Sequence, residues 1–181
     1  ARQIIMEKGA DGLSIRGIAK RIDYSPAGLY EYFGSKEEIL EHVVRNGHER
    51  FYQYLSRVDE ALPAYEYILE LGLAYINFAL QNSEYFMVIF TSTPAPDSAN
   101  YEESEGSTFA LLLNGIERAI AQGYILVPEG QSALSLAYTH WGMVHGLAML
   151  RVTQMRHLEY DFDAADREAL RAFGRGWAQP S

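Results

Sequence analysis

A chain of 181 residues in which 48% are hydrophobic and 22% charged holds enough apolar material for a packed core, which excludes a disordered tail or a low-complexity linker. It has no cysteine, which excludes disulfides and thiolate metal sites and makes the cytoplasm the expected location. Its formal net charge of −9 disfavours nucleic acid for the chain as a whole, yet residues 1–36 set Arg2, Lys8, Arg16, Lys20, Arg21 and Lys36 against only Glu7, Asp11, Asp23 and Glu31, so this segment alone is net positive.

Helical periodicity recurs along nearly the whole sequence and strand signals are scarce, which predicts an all-α fold. The opening Ala1-Arg2-Gln3-Ile4-Ile5 reads as helix interior, so further residues, including a basic arm, are expected before Ala1. The first helix is expected to stop at Lys8, with Gly9 left-handed behind it. Ser14 then caps a second helix, with Leu13 and Ile18 at staple spacing and Ile15, Ile18, Ala19 and Ile22 as its apolar face. Asp23-Tyr24 makes a sharp corner, and Ser25-Pro26 is an N-cap followed by proline at the first helical position. The third helix is expected to run to Phe33, where Gly34 closes it and Ser35 opens a fourth, with Glu38 completing a capping box. That fourth helix is predicted over 35–58. A fifth, 63–81, is apolar on nearly every side and marks the spine of a second domain. A short aromatic helix follows from Ser83 to Phe90, then a polar loop over 91–107 that contains Glu102, Glu103 and Glu105. Three more helices are predicted over 108–122, 129–154 and 164–178. No segment approaches the roughly 20 apolar residues of a membrane span.

Helix, short turn, helix is the general form of a DNA reader. Small Ala19 suits a close helix crossing, while Leu29 and Phe33 supply the buried face of the third helix. Pro26, Ala27, Gly28, Tyr30, Glu31 and Tyr32 are then left facing outward, and two exposed tyrosines suit a grip on sugar-phosphate. The run from Leu13 to Ile22, Leu-Ser-Ile-Arg-Gly-Ile-Ala-Lys-Arg-Ile, followed by Ser25 to Leu40, Ser-Pro-Ala-Gly-Leu-Tyr-Glu-Tyr-Phe-Gly-Ser-Lys-Glu-Glu-Ile-Leu, resembles the signature of the TetR/AcrR (tetracycline-repressor) family of regulators. Trp141-Gly142-Met143-Val144-His145-Gly146 is similar to a Trp and His-Gly pattern in one class of C-terminal domains of such regulators. The resemblance implies a DNA-binding domain at 1–40 and an effector-binding and dimerisation domain at 41–181. It further implies that Ser14, Ser25, Tyr30, Tyr32 and Lys36 contact the DNA backbone, and that Arg16, Ala27 and Gly28 face base edges, where an arginine can bond bidentately to guanine. One departure is Asp23, at a turn position where the family usually has glycine.

A surplus of large aromatics in the second domain suggests a largely apolar effector pocket lined by Tyr75, Phe78, Phe86, Phe90, Phe109, Tyr138, Trp141 and His145. Asn77, His140 and His145 are the polar groups among them, and each histidine reads more simply as a hydrogen-bonded core residue. Gly142 and Gly146 on one helix, with Leu170, Phe173 and Trp177 on the last, are expected to form an isologous dimer interface. The expected partners are a double-stranded, near-palindromic DNA operator, a small effector and a second copy of the chain. No cofactor, metal site or catalytic residue is visible: there is no P-loop, no His-Glu-x-x-His, and no histidine follows a glutamate at the spacing of a di-metal oxidase. An all-α enzyme and an architectural DNA-binding protein without effector are the alternatives. The second is disfavoured by the acidity of the chain after residue 36.

Overall fold

The computed structural model describes residues 1–92 and 107–177, and among these it contains nine α-helices. They are α1 (Arg2–Lys8), α2 (Ile15–Arg21), α3 (Pro26–Tyr30), α4 (Lys36–Leu55), α5 (Ala64–Gln81), α6 (Ser83–Thr91), α7 (Thr108–Ala121), α8 (Ala133–Val152) and α9 (Phe162–Arg175), with one 3-10 turn at Ala10–Gly12. No helix among the described residues is long and apolar enough to cross a membrane. Most of the expected 91–107 loop, including its acidic run, lies outside the described residues, as does Ala178 at the expected end of the last helix.

Two compact units make up the chain, Ala1–Arg50 with Asn82–Ala99, and Phe51–Gln81 with Asn100–Ser181. The first unit therefore extends past the expected boundary at residue 40 and recruits α6. Its core gathers Ile4 and Ile5 of α1, Leu13, Ile15, Ile18 and Ala19 around α2, Leu29 of α3, Ile39 and Val44 of α4, and Val88 of α6. Polar contacts help hold α6 there: the Tyr85 hydroxyl donates to Asn46 Oδ1 at 2.9 Å, and the Arg2 guanidinium lies 4.1 Å from the centre of the Tyr85 ring. Ile89 closes against Gly47, where an added Cβ would come within 2.9 Å of Ile89 Cγ1.

In the second unit α5 is the spine, buried along most of its length and packed against α7, α8 and α9. Glycine permits the close approaches. A Cβ at Gly115 of α7 would stand 3.0 Å from the Tyr67 ring, and one at Gly72 of α5 would stand 3.1 Å from Leu170 of α9. Arg118 of α7 stacks over Tyr67 at 4.8 Å and donates to the carbonyls of Glu60 (2.6 Å) and Leu62 (3.2 Å), so one guanidinium satisfies the turn that leads into α5. The start of α8 is set by Ser132 and Ser135, which cap each other reciprocally, and lies beyond the expected Glu129 because Gly130 takes a positive φ of 78°. Asp161 caps α9 by accepting from the Ala164 N–H, so that the helix begins at Phe162, two residues ahead of the expected start.

Candidate functional site

The caps at the N-terminal reader form as the sequence suggests. Ser14 Oγ accepts from the Gly17 N–H at 3.1 Å and Ser25 Oγ from the Gly28 N–H at 2.9 Å, with Pro26 opening α3. Each hydroxyl uses a lone pair for the cap and keeps its O–H to donate, as a phosphate contact requires. Between the helices, Asp23 sits at φ 53°, the left-handed region that aspartate tolerates better than most residues, and the Tyr24 N–H reaches back to the Ala19 carbonyl at 2.9 Å. This corner ends α2 at Arg21 and leaves Ile22 56% exposed, so Ile22 does not belong to the buried face of α2.

Three further expectations need correction. α3 ends at Tyr30, with the Tyr32 and Phe33 N–H groups both directed at the Leu29 carbonyl. Gly9 does end α1 at a positive φ of 72°, its N–H donating to the Ile5 carbonyl at 2.8 Å, but with an extended ψ of 175°, and Gly34 is not at positive φ. Glu38 does not bond back to Ser35; its Oε2 accepts from the Gly34 N–H at 2.7 Å while Ser35 Oγ accepts from the Glu38 N–H at 3.2 Å. At Gly28 an added Cβ would stand 2.7 Å from the Tyr24 ring. Glycine at 28 lets that ring lie against α3.

The exposed surface that remains is built of Arg16, Ala27, Tyr30 and Tyr32, with Lys36 half-buried in the first turn of α4. Local pairing redistributes the positive charge of this segment. Arg21 makes a forked pair with Glu7 at 2.6 and 2.8 Å, which holds that carboxyl below its ordinary pKa, and Arg2 faces Glu84 at 4.0 Å. Arg16 and Lys20 have no ion pair among the described residues, and Lys36 has only a loose one, 3.8 Å from Glu37. Lys20 lies one turn after Arg16 on the same exposed face.

In the second unit, Trp141 Nε1 donates to the Tyr75 hydroxyl at 3.2 Å, and that hydroxyl lies 2.8 Å from His145 Nδ1. Burial lowers the His145 pKa and raises that of Tyr75, keeping both groups neutral. Phe109 packs on Trp141 at 5.8 Å, and Phe78 is fully buried on Phe51 at 4.7 Å. Phe86 and Phe90 belong to the first unit, where their rings lie 4.9 Å apart. Tyr138 is 68% exposed and cannot line an interior pocket.

A family model described as bacterial regulatory proteins, tetR family, matches residues 1–43, and one described as tetracyclin repressor-like, C-terminal domain, matches residues 68–173. The chain belongs to the TetR family. Solved structures show the same fold: a tetR-family regulatory protein from Rhodococcus RHA1 (TM-score 0.77, 16% identity, 100% of this chain and 94% of that one), the transcriptional regulator PfmR from Thermus thermophilus (0.72, 17%, 98% and 96%) and a TetR-like transcriptional regulator from Rhodococcus sp. RHA1 (0.74, 20%, 97% and 90%). No curated protein matches the chain. The protein is thus a DNA-binding transcriptional regulator of the TetR family.

Two parts of the expected interface in this TetR-family chain are occupied from within. Leu170 is buried against Gly72 of its own α5, and Phe173 and Trp177 pack on each other at 4.5 Å and on His140 at 5.9 and 6.2 Å. Leu170 is therefore unavailable to a second copy, because the gap left by Gly72 already takes it. Gly142 and Gly146 are different: an added Cβ at either meets nothing within 4 Å. Leu134, Tyr138 and Leu150, exposed at 40%, 68% and 45%, share their four-residue spacing along α8.

Proposed function

We propose that this regulator is a homodimeric repressor that binds a near-palindromic operator and is released from it by a small effector. The observation that carries the reading is the surface of α2 and α3, where exposed Arg16, Lys20, Tyr30 and Tyr32 stand beside two serine-capped helix starts in an otherwise acidic chain. Arg16 reads a base edge in the major groove, and the tyrosines, the serine hydroxyls and Lys36 fix the register on phosphates.

Dimerisation is supported by the stripe of α8 from Leu134 through Tyr138, Gly142 and Gly146 to Leu150, which is apolar or small and uncovered. Small residues at four-residue spacing let two such helices approach closely, and an isologous pairing buries the same stripe on both copies. Two copies then present two α3 helices to successive major grooves about 34 Å apart. The effector pocket is assigned to Tyr75, Phe109, Trp141 and His145, where aromatic walls surround a short polar relay, a composition suited to a mainly apolar molecule with one hydrogen-bonding group. A ligand favouring one domain arrangement shifts the population away from the DNA-binding one.

The test is selection of bound duplexes from random double-stranded DNA. Enrichment of a near-palindrome with half-sites one helical turn apart supports the proposal, and enrichment of a single half-site, or of nothing, overturns it.

A further inference from the structure

Apart from the residues discussed so far, the second unit carries a cleft of about 560 Å³, lined by the end of α4 and the turn after it, by α5, by Arg151 near the end of α8 and by the first turns of α9. Such a volume suits a small molecule. On α5 the cleft takes Ile76 and, at i, i+3, i+4, i+7 and i+11 on one face, Glu70, Leu73, Ala74, Asn77 and Gln81; Tyr75 does not line it.

Charge is distributed unevenly along it. Asp163 Oδ1 and Asp166 Oδ2 both accept from the same Nη1 of Arg151 at 2.7 Å, two carboxylates on one guanidinium, so this corner holds one negative charge in excess. Asp166 is withdrawn from solvent while the Asp163 side chain is 81% exposed, so the excess is presented by Asp163. Arg167, on the same turn of α9, is neutralised by Glu70 at 2.8 Å. The other end differs. Arg57 has no carboxylate within ion-pair distance among the described residues, and its guanidinium rests 5.8 Å from the centre of the Tyr54 ring. The Tyr54 hydroxyl donates to Gln81 Oε1 at 3.2 Å, which leaves the Gln81 amide hydrogens for another acceptor, and Asn77 brings a second exposed amide. Leu73, Ala74 and Ile76 provide the apolar stretch between.

The spacing follows from helix geometry. Gln81 marks the donor end and Glu70, through Arg167, the acceptor end; eleven residues at 1.5 Å each place them about 16 Å apart along α5. Allowing for a hydrogen bond at either end, the occupant has opposite charges separated by roughly 10 Å.

We propose that this cleft binds a small zwitterion, its carboxylate held by Arg57 with the amides of Asn77 and Gln81, its ammonium at Asp163, and its apolar stem over Leu73 and Ala74. The site is separate from the Trp141 relay and does not depend on the effector reading given to that relay.

Isothermal titration of the intact protein with 8-aminooctanoate, octanoate and octylamine tests it. The zwitterion binds at least tenfold more tightly than either singly charged analogue. Arg57→Gln and Asp163→Asn each lower its affinity at least tenfold, whereas Trp141→Phe leaves it unchanged. Absence of binding, equal affinity for octanoate or octylamine, or affinity indifferent to both cleft substitutions overturns the proposal. Circular dichroism of each variant, superimposable on the parent, shows that lost binding is not lost folding.

Discussion

Buried His140 makes the stability of the second unit depend on pH. Its side chain is 4% exposed between Gly72, Phe173 and Trp177, and its Nε2 has no hydrogen-bond partner among the described residues. Burial without a partner pushes its pKa down to about 4 from an ordinary 6.5. Between those values the unfolded chain holds the proton and the folded chain does not, so stability rises with pH across the window. It is fully present above pH 6.5 and is lost as pH falls towards 4. At pH 5 the linkage amounts to about 2 kcal/mol, approaching about 3 kcal/mol below pH 4. His140→Leu removes the titrating group and keeps an apolar side chain in the same packing. Urea unfolding at fixed protein concentration, from pH 7.5 to pH 4.5, compares the two proteins. The parent loses about 2 kcal/mol more than the variant by pH 5. His48 and His145, whose pKa values burial also lowers, act equally in both proteins and cancel in the difference. Parallel pH profiles would refute the assignment.

Four further substitutions examine the DNA surface, the dimer face and the packing of α7. Arg16→Ala should cost about 1–3 kcal/mol on the selected operator alone, whereas Lys36→Ala should weaken binding to all duplexes and reduce the salt slope by about one; fluorescence anisotropy over a salt series separates the two. Gly146→Leu, at a position with nothing within 4 Å, should shift sedimentation towards monomer with little change in monomer fold, and an unchanged dimer would remove α8 from the interface. Gly115→Ala places a methyl group 3.0 Å from the Tyr67 ring and should destabilise by about 1–3 kcal/mol in thermal unfolding, because that ring is buried and already carries Arg118 over it.

The parts of the fold that were legible in the sequence are those written in local chemistry. Ser14, Ser25-Pro26 and the break at Pro63 place the starts of α2, α3 and α5 within a residue, since a cap or a proline acts on the backbone beside it. Ile22 misled because its spacing continues the apolar face of α2, while the positive φ at Asp23 swings the chain away. Membership of α6 in the N-terminal unit was illegible for a different reason. Val88 is fully buried with Ile4 and Ile5, and no periodicity within α6 names partners more than eighty residues away. The same holds for Leu170: an apolar stripe on α9 shows that something is buried, and only Gly72 of α5 decides that its own chain buries it. Of the reader surface, the tyrosines and Arg16 were visible as outward positions, but which cations remain unpaired depended on the Glu7–Arg21 fork, a tertiary contact.

Hydroxyl-radical footprinting on the duplex recovered by selection tests most directly that two α3 helices read one operator. The parent protein should protect two patches on one face of the helix, centred about 34 Å apart, and Arg16→Ala should weaken both together. A single protected patch, or two patches of which only one responds to Arg16→Ala, would contradict recognition by a symmetric pair of α2–α3 readers.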